Sequence, residues 1–444
     1  MKLGTPRTSS RSKRAAATAV AAGLVALAAC GEEVATGPDD SQLPVEPVTV
    51  SLQLDWDEFA SNLQVFGGYG RVDDMSSTVI ARAYDGVEAR TLVRFGSIPR
   101  SALVRDSTNT LRTDSALTFV DAYVVVLVDQ AASTNGGVVQ LGFGQTLERW
   151  DAATANWTNA VDTLGGAVPW SQPGGGAVTP LATWDYDPAL GDSAQFFLDS
   201  ATISQWREGS DSVRAGRIDL LTDGHRLQLV AAALRVVANS LLDPDTVIVF
   251  DVGVTQETFI YDPSPPPPPA DGLRVGGSPA WRTVFDVAVP STLNGPPELC
   301  AAVGCPFTLG PQHVTYAGLG VHTRRSPDAF QPTDTVAVEV RPVLDKATLP
   351  KAPLGSALGA TGGTPISPGL LGVEGSLVDL PITRYVQGFL SGPDPSGRQP
   401  PTTLAILATP EPNSFSFASF FGPGATNAPV LNLVLTVSPP MEIR

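Results

Sequence analysis

Glycine and proline interrupt this sequence at short intervals, with 43 Gly and 40 Pro among its 444 residues. Both residue types weaken or end helices, and charged residues, which are common on exposed helices, make up only 16% of the chain. Hydrophobic residues nevertheless make up 43%, so the chain can bury sizeable cores. The sequence therefore disfavours long helices and predicts an all-β protein of short strands joined by turns.

Runs rich in Val, Leu and aromatic residues, bounded by Gly, Asp, Asn or Pro, predict strands in both halves of the chain. The predicted strands are 118–128, 138–143, 227–237, 247–252, 314–321, 335–340, 403–408 and 430–437. In the last strand, Leu431, Leu433 and Leu435 alternate with other residues, which is typical of a strand with one face more buried. Two short stretches with helical spacing, 203–206 and 382–389, predict single helical turns.

The first thirty residues have the pattern of a secretory leader, with five basic residues before an apolar run from Ala15 to Ala29. The run is too short and too rich in alanine to span a bilayer core about 30 Å thick. It ends in Leu-Ala-Ala-Cys30, which resembles the lipobox of bacterial lipoproteins and implies cleavage before Cys30 and lipidation of that residue. The alternative is an ordinary signal peptide, 1–29, with an accidental cysteine.

The residue after Cys30 is Gly31 rather than the aspartate that usually retains lipoproteins in the inner membrane. The resemblance therefore implies a protein of the cell envelope, held by its lipid anchor in the outer membrane, on its periplasmic face or at the cell surface. The membrane is then the first expected partner.

Proline-rich segments divide the rest of the chain. Residues 30–47 are acidic and lack an apolar period, which predicts a flexible tether. Residues 263–270 contain five consecutive prolines, which favour a stiff, extended linker that cannot join a sheet internally. The sequence thus predicts two tandem β-sandwich or jelly-roll domains with short helical turns, at 48–262 and 271–440.

The two predicted domains share landmarks in the same order. The strand 90–95 corresponds to 281–285, and the helical turn 198–206 corresponds to 380–387. A shared order of landmarks predicts that one unit was duplicated.

The landmarks of the first domain resemble the DNRLRE-domain family, jelly-roll modules of secreted and surface bacterial proteins, some of which bind polysaccharide. The matching segments are 91–99, 115–117, 148–151, 155–158 and 199–206. The second domain matches only the first strand, the helical turn and the closing 428–431, and it lacks the segment with two tryptophans. The resemblance implies a jelly-roll fold and a carbohydrate-binding role, chiefly for the first domain.

Six of the seven tryptophans lie in the first predicted domain, and planar indoles stack well on sugar rings. The candidate ligand-binding tryptophans are Trp150, Trp157, Trp170 and Trp184. Arg90 and Arg94 are candidates to hold a sugar carboxylate through a guanidinium fork. The alternatives are that the tryptophans fill the core and that the arginines form ion pairs with nearby carboxylates.

Asp185, Asp187 and Asp192 cluster near a turn and could hold a structural calcium ion, whereas the alternative is ordinary turn chemistry. No other cofactor is expected.

Cys300 and Cys305 predict a short-loop disulfide in an oxidising compartment, since their spacing and the lack of a second Cys or His pair argue against zinc.

The net charge of −16 argues against a nucleic-acid partner, which needs clustered positive charge. No nucleophile-elbow, zinc-protease or phosphate-loop motif occurs, so no enzyme activity is predicted.

The sequence predicts a lipid-anchored envelope protein whose non-catalytic modules bind carbohydrate or mediate adhesion, with a polysaccharide or an envelope protein as partner. The alternatives are a purely structural scaffold and a lyase or hydrolase that acts on polysaccharide.

Overall fold

The computed structural model describes residues 46–134, 136–163, 165–278, 280–412 and 414–438. The predicted signal peptide, Cys30 and the tether up to residue 45 lie outside the described residues. Strands account for 47% of the structure and helices for 13%, which confirms the predicted all-β, sandwich-like fold. None of the helices in the described ranges has the length and apolar character needed to cross a membrane.

The strands of the first half are β1 (Val48–Asp55), β2 (Ala60–Phe66), β3 (Thr78–Tyr84), β4 (Val87–Phe95), β5 (Ala102–Arg105), β6 (Leu111–Asp114), β7 (Thr118–Asp129), β8 (Val139–Thr146), β9 (Asn159–Thr163), β10 (Gly166–Pro169), β11 (Val178–Tyr186), β12 (Ser193–Phe197), β13 (Ala215–Leu220), β14 (His225–Asn239) and β15 (Val247–Asp262). Those of the second half are β16 (Gly272–Gly276), β17 (Arg282–Val287), β18 (Thr292–Leu293), β19 (Phe307–Thr308), β20 (Val314–Arg324), β21 (Val336–Pro342), β22 (Thr364–Ile366), β23 (Leu377–Pro381), β24 (Thr403–Ala408), β25 (Phe417–Phe421) and β26 (Val430–Val437). The helices are α1 (Trp56–Phe59), α2 (Ser200–Glu208), α3 (Pro297–Val303), α4 (Pro368–Leu371) and α5 (Thr383–Ser391).

The predicted single helical turns are longer than expected, since α2 and α5 each have nine residues. Helix α2 begins where the Asp199 carboxylate accepts a hydrogen bond from the Thr202 amide at 2.7 Å, which satisfies a backbone donor in the first turn. Glycines follow both helices, at Gly209 and Gly392. Packing against neighbouring strands makes these short helices stable, which the local sequence alone does not.

The described residues divide into two compact units. The larger comprises Ser51–Leu293 and Thr308–Leu435, and the smaller contains Asn294–Phe307 with the terminal segments up to Val50 and from Thr436. The larger unit draws on both predicted jelly-roll segments. In the smaller unit, Cys300 and Cys305 form the predicted disulfide, with their Cα atoms 5.0 Å apart.

The first sandwich is a nine-stranded sheet with the order β11-β8-β13-β4-β15-β14-β7-β12, in which β3 pairs with both β4 and β14. Its two layers are joined by the long strand β15: residues 247–253 pair with β14, whereas residues 254–262 pair with β4. Between the layers, alternate residues of each strand form an apolar core that includes Phe95, Val124, Phe196 and Leu234. A strand that bends between layers closes the sandwich at that side and leaves no free edge there.

The second sandwich consists of a six-stranded sheet with the order β1-β26-β20-β25-β16, in which β23 also pairs with β20, and a five-stranded sheet with the order β2-β17-β24-β21-β22. Residues 48–66, predicted to belong to the first domain, thus contribute β1 and β2 to the second sandwich. The Trp56 ring, in helix α1 between these strands, lies 5.2 Å from the ring of Phe285 in β17. Strand pairing therefore does not follow the predicted division at 48–262 and 271–440.

The two sandwiches share much of their strand order, although β3 in the first and β16 and β25 in the second have no counterpart. The succession β11-β8-β13-β4 in the first matches β22-β21-β24-β17 in the second, and β12-β7-β14 matches β23-β20-β26. The helices α2 and α5 precede the equivalent strands β13 and β24. The bent strand β15, which pairs with β14 and then β4, has its counterpart in β1 and β2, which pair with β26 and β17. This is the order expected of two copies of one unit, the second closed by the segment that precedes the first.

The two sandwiches meet in an aromatic junction core, made of Val79, Ala81, Val87, Ala89, Phe259, Ala329, Phe330, Phe415 and Phe417. Arg226 of β14 is buried beside it and donates hydrogen bonds to the Ala329 carbonyl, Ser416 Oγ and Thr333 Oγ1 at 3.1, 2.9 and 2.8 Å. Burial lowers the pKa of Arg226. Apolar packing together with satisfied polar contacts makes this junction part of the compact unit rather than a loose domain contact.

Candidate functional site

Most of the predicted ligand-binding residues lie under or within a segment that covers the outer face of the first sandwich. On β4, Val93 points into the core between the layers, whereas Leu92 packs against Trp150, Trp170 and Ile260 in a separate apolar cluster. The residues that form this cover segment are 147–163 and 165–177. Strand β4 is therefore buried on both faces, and the two arginines that alternate with its core residues are covered as well.

Arg94 holds the start of the cover segment. Its guanidinium carbon lies 4.6 Å from the centre of the Trp150 ring, and Nη2 donates a hydrogen bond to the Trp150 carbonyl at 3.1 Å. Nη1 donates to the Gln256 side chain. Burial lowers the pKa of Arg94. These contacts engage both Nη atoms, whereas Nε has no hydrogen-bond partner among the described residues. Trp150 is itself buried, so both residues act in packing.

Arg90 and Arg217 hold the other end of the cover segment. Arg90 Nη1 donates to the Gly174 carbonyl at 2.6 Å, and Arg217 Nη1 donates to the carbonyls of Gly174 and Gly176 at 3.0 and 3.1 Å. Both arginines lie near Asp219, whose Oδ1 is 3.7 Å from Arg90 Nε and 2.9 Å from Arg217 Nε. The ion-pair alternative for Arg90 is therefore the arrangement found, although the Gly174 carbonyl is its closer partner.

The glycine-rich loop fits this place because it lacks side chains. Gly174, Gly175 and Gly176 have φ values of +86°, +94° and +69°, which favour glycine. A Cβ atom on Gly176 would lie 2.1 Å from Glu148 Oε1. Glu148 accepts hydrogen bonds from the Ser171 hydroxyl and from the Ser171 and Ala177 amides, the latter two at 2.9 and 3.1 Å. Burial opposes the change, but these three bonds together lower the pKa of Glu148.

Trp170 is 5% exposed, and its indole nitrogen donates to the Asn156 carbonyl at 2.8 Å. It is a packing residue, so the alternative that the tryptophans fill the core is the arrangement found at this position. Trp157 differs because it is only partly buried. It packs against the apolar cluster that contains Leu92, and the Arg90 guanidinium carbon lies 4.9 Å from the centre of its ring.

A cavity of about 460 Å³ opens beside Trp157. Its lining residues include the partly buried Trp157, Tyr261 and Val72 and the exposed Thr158, Asp262 and Ser264. Tyr261 is oriented by a hydrogen bond between its hydroxyl and Ser278 Oγ, 2.6 Å apart. A cavity of this size, with two aromatic rings and several polar groups, has the composition of a small-ligand site.

Trp184 lies away from this cavity. It packs against the core of the first sandwich, and its ring centre is 6.3 Å from that of Phe197, which in turn is 5.4 Å from Tyr123. Phe197 is 51% exposed. Trp184 is therefore not brought together with Trp157, and the four candidate tryptophans do not form one site.

The three aspartates suggested as calcium ligands do not form a ligand set. Asp185 accepts a hydrogen bond from Gln140 at 3.1 Å, and Asp187 accepts one from the Ala189 amide in its own turn at 2.9 Å. Across the described residues, no group of three or more His, Cys, Asp or Glu side chains is arranged to hold a metal ion. The alternative of ordinary turn chemistry accounts for the hydrogen bond at Asp187, because an aspartate side chain readily accepts from the backbone two residues further on.

Sequence reasoning missed Tyr261, Asp262 and Ser278 as neighbours of Trp157. These residues are about one hundred positions away along the chain and carry no local motif. For Tyr261 and Asp262, the sequence feature that indicates such a neighbourhood is their position at the end of a long strand, immediately before the proline run. Such a strand end places side chains at a sheet edge, where loops from other parts of the chain gather.

Comparison with known proteins adds no functional assignment. No protein-family model matches the chain. No curated protein matches it. Among solved structures, similarity was found to "Structure of infectious bursal disease virus Gt strain", with 13% identity, 89% of this chain and 80% of that chain covered, and a TM-score of 0.11. A TM-score this low carries no argument about fold or function.

Proposed function

We propose that this protein is a lipid-anchored, non-catalytic carbohydrate-binding protein of the bacterial cell envelope, related to the DNRLRE-domain family, and that it binds a saccharide in the cavity beside Trp157. The observation that carries the proposal is the partly exposed Trp157 ring in a cavity of about 460 Å³ that also contains Tyr261 and exposed polar groups. An indole offers an apolar face to a sugar ring. Protein hydroxyl groups can donate hydrogen bonds to the sugar hydroxyls or accept them, and a carboxylate accepts them.

The contacts of the cover segment favour this ligand class because they make the site rigid. Arg90 supports the Trp157 ring and at the same time holds the Gly174 carbonyl. The Ser278 hydroxyl orients Tyr261 from another part of the chain. A preformed aromatic site loses little conformational entropy when a ligand binds, which matters for weakly held sugars.

Replacing Trp157 with alanine should weaken saccharide binding by about 30-fold or more, since truncation of an aromatic anchor typically costs about 2 kcal/mol. Binding is measured by affinity electrophoresis and calorimetry of the mature chain against neutral and acidic polysaccharides. Trp184→Ala is the matched control, because it also removes a partly buried indole of the first sandwich but lies outside the cavity.

A second variant distinguishes loss of the binding site from local unfolding in Trp157→Ala. Ser264→Trp places a bulky side chain at the exposed rim of the cavity and should block binding while the thermal unfolding curve stays as in the wild type. If the wild type binds no polysaccharide, or if Trp157→Ala and Trp184→Ala bind equally well, the carbohydrate proposal fails.

A scaffold role is the second candidate, and a specific observation favours it. Trp150, Trp170 and Trp206 are buried, and Arg90 and Arg94 are engaged in contacts within the fold. Most residues singled out for ligand binding thus stabilise the first sandwich. Under this alternative the cavity stays empty with every saccharide, and the Trp157→Ala variant differs from the wild type only in stability.

The anchoring part of the proposal rests on the lipobox-like sequence before Cys30. When the full chain is expressed in a bacterial host, Cys30→Ser should move it from the detergent phase to the aqueous phase in detergent phase partitioning. Cys300→Ser is the control, since it also removes a cysteine but leaves the leader intact, and should remain in the detergent phase. Retention of Cys30→Ser in the detergent phase would contradict lipidation at this residue.

A further inference from the structure

A second cavity lies on the other side of the proline-rich segment, in the second sandwich. Its volume is about 430 Å³, and its walls combine Pro266, Pro267 and Pro269 with three arginines. The arginines are Arg274 on β16, Arg324 at the end of β20 and its neighbour Arg325. A cluster of three guanidinium groups is unexpected in a chain whose net charge is −16.

Arg274 is the unusual member of the cluster. It is 2% exposed, and its guanidinium carbon lies 4.0 Å from the centre of the Phe417 ring and 5.2 Å from that of Trp281. Its Nη1 donates to the Pro266 carbonyl at 2.6 Å, whereas Nε has no hydrogen-bond partner among the described residues. Within the described part of the chain Arg274 also forms no ion pair, and burial lowers its pKa to about 10.

A comparison with Arg226 shows what is missing at Arg274. Both side chains are buried and lack a carboxylate partner, but Arg226 donates to three different oxygen atoms in the junction core. Arg274 has one such oxygen and two aromatic rings. A buried cation is costly unless it is paired and its donors are used, so this site has unused capacity for an anion.

The other two arginines can contribute to such a site. Arg324 Nη1 lies 2.9 Å from Asp271 Oδ1, and Arg325 Nη2 lies 2.8 Å from Asp328 Oδ1. Both aspartate side chains are more than half exposed. Exposed ion pairs of this kind contribute little free energy, so a bound anion can compete for these guanidinium groups at small cost.

We propose that the cavity between the proline-rich segment and the arginines Arg274, Arg324 and Arg325 is an oxyanion-binding site, which takes a sulfate, a phosphate or the carboxylate of a uronic acid. Arginine suits this ligand because its planar fork donates two parallel hydrogen bonds to two oxygens of one anion. The proline wall supplies apolar contact for the carbon skeleton of a uronic acid. The site is separate from the Trp157 cavity, and its existence does not depend on carbohydrate binding there.

The test is calorimetric titration of the mature chain with sodium sulfate, sodium phosphate, glucuronate and, as the uncharged comparison, glucose, all at constant ionic strength. We expect saturable binding of at least one of the three anions and none of glucose. The double variant Arg324→Gln/Arg325→Gln should weaken the binding at least tenfold. Folding should be retained, because the Arg325 side chain is 57% exposed and that of Arg324 is 28% exposed.

Arg82→Gln is the control for loss of positive charge, because Arg82 is also an exposed arginine paired with an aspartate, Asp223, and lies outside the cavity. It should bind anions as the wild type does.

Arg274→Met should abolish binding; if this variant does not fold, the double variant Arg324→Gln/Arg325→Gln decides. Which anion binds identifies the source: glucuronate alone indicates an acidic saccharide, and sulfate or phosphate indicates an inorganic or esterified oxyanion. Absence of saturable binding for all three anions, or equal weakening in the double variant and Arg82→Gln, would overturn the proposal.

Discussion

Residues 271–438 expressed alone should fail to fold cooperatively, although the sequence pattern marks them as a domain. The second sandwich needs β1, α1 and β2 from residues 48–66, which place Leu54, Trp56 and Phe59 in buried positions. Loss of a buried Trp or Phe side chain typically costs about 3–5 kcal/mol each. Loss of both, about 6–10 kcal/mol, is comparable with the whole stability of an ordinary domain, about 5–15 kcal/mol, and the unpaired edge left on β17 adds to it.

A circular permutation provides the decisive comparison. Thr49 Oγ1 lies 3.0 Å from Thr436 Oγ1, so residues 46–66 can follow residue 438 through a short Gly/Ser linker. This permuted fragment should regain strand-type circular dichroism and a cooperative urea transition. Both fragments expose the same junction surface. The difference between their unfolding transitions therefore measures what residues 46–66, with β1, α1 and β2, contribute to stability.

The permuted fragment with Trp56→Ala and Phe59→Ala is the matched control and should remain unfolded. A cooperative transition in the unpermuted fragment 271–438 would show that residues 48–66 are dispensable. The role of these residues as the counterpart of β15 would then be wrong.

Phe330→Ala should lower the free energy of unfolding of the whole chain by about 3–5 kcal/mol, the usual cost of truncating a buried phenylalanine. The Phe330 ring lies 4.9 Å from Phe415 and 5.5 Å from Phe417, and 6.4 Å from Tyr261 of the first sandwich. The variant therefore leaves a cavity where the two sandwiches meet. Urea unfolding followed by circular dichroism and by tryptophan fluorescence measures the loss.

Phe197→Ala is the control for this prediction, since it removes the same side chain from a position that is 51% exposed. Its unfolding free energy should stay within about 0.5 kcal/mol of the wild type, as for most surface substitutions. In Phe330→Ala the two probes should also separate, because five of the seven tryptophans, Trp150, Trp157, Trp170, Trp184 and Trp206, lie in the first sandwich, whereas Trp56 packs in the second. Equal effects of the two substitutions would show that the junction core does not couple the sandwiches.

The fold class and many strand positions could be predicted because they depend on local pattern. Strands β24 and β26 have the predicted bounds, and Leu431, Leu433 and Leu435 are buried in alternation as expected. Apolar runs bounded by Gly, Pro, Asp and Asn leave a chain few other conformations. Strands β14 and β15 are longer than predicted, since their ends pair with other strands and local composition does not report this.

The candidate site was predictable only in part. Trp157 was chosen for its residue type, but Trp150 and Trp170 have the same type and are buried. What separates them is the cover segment, which packs Trp150 and Trp170 onto Leu92 and Ile260 and leaves Trp157 at a cavity. Exposure of an aromatic residue depends on which distant strand lies beneath it, and sequence carries no short-range signal for that.

By itself the sequence determined an all-β chain, the positions of several of its strands and the disulfide between Cys300 and Cys305, because each depends on residues close together in the chain. The tertiary structure decided which strands pair, and with it the use of residues 48–66 to close the second sandwich, the neighbours of Trp157 and the clustering of Arg274, Arg324 and Arg325. Those outcomes are set by long-range pairing and burial, in which the free energy depends on the partner surface and not on the local residues alone.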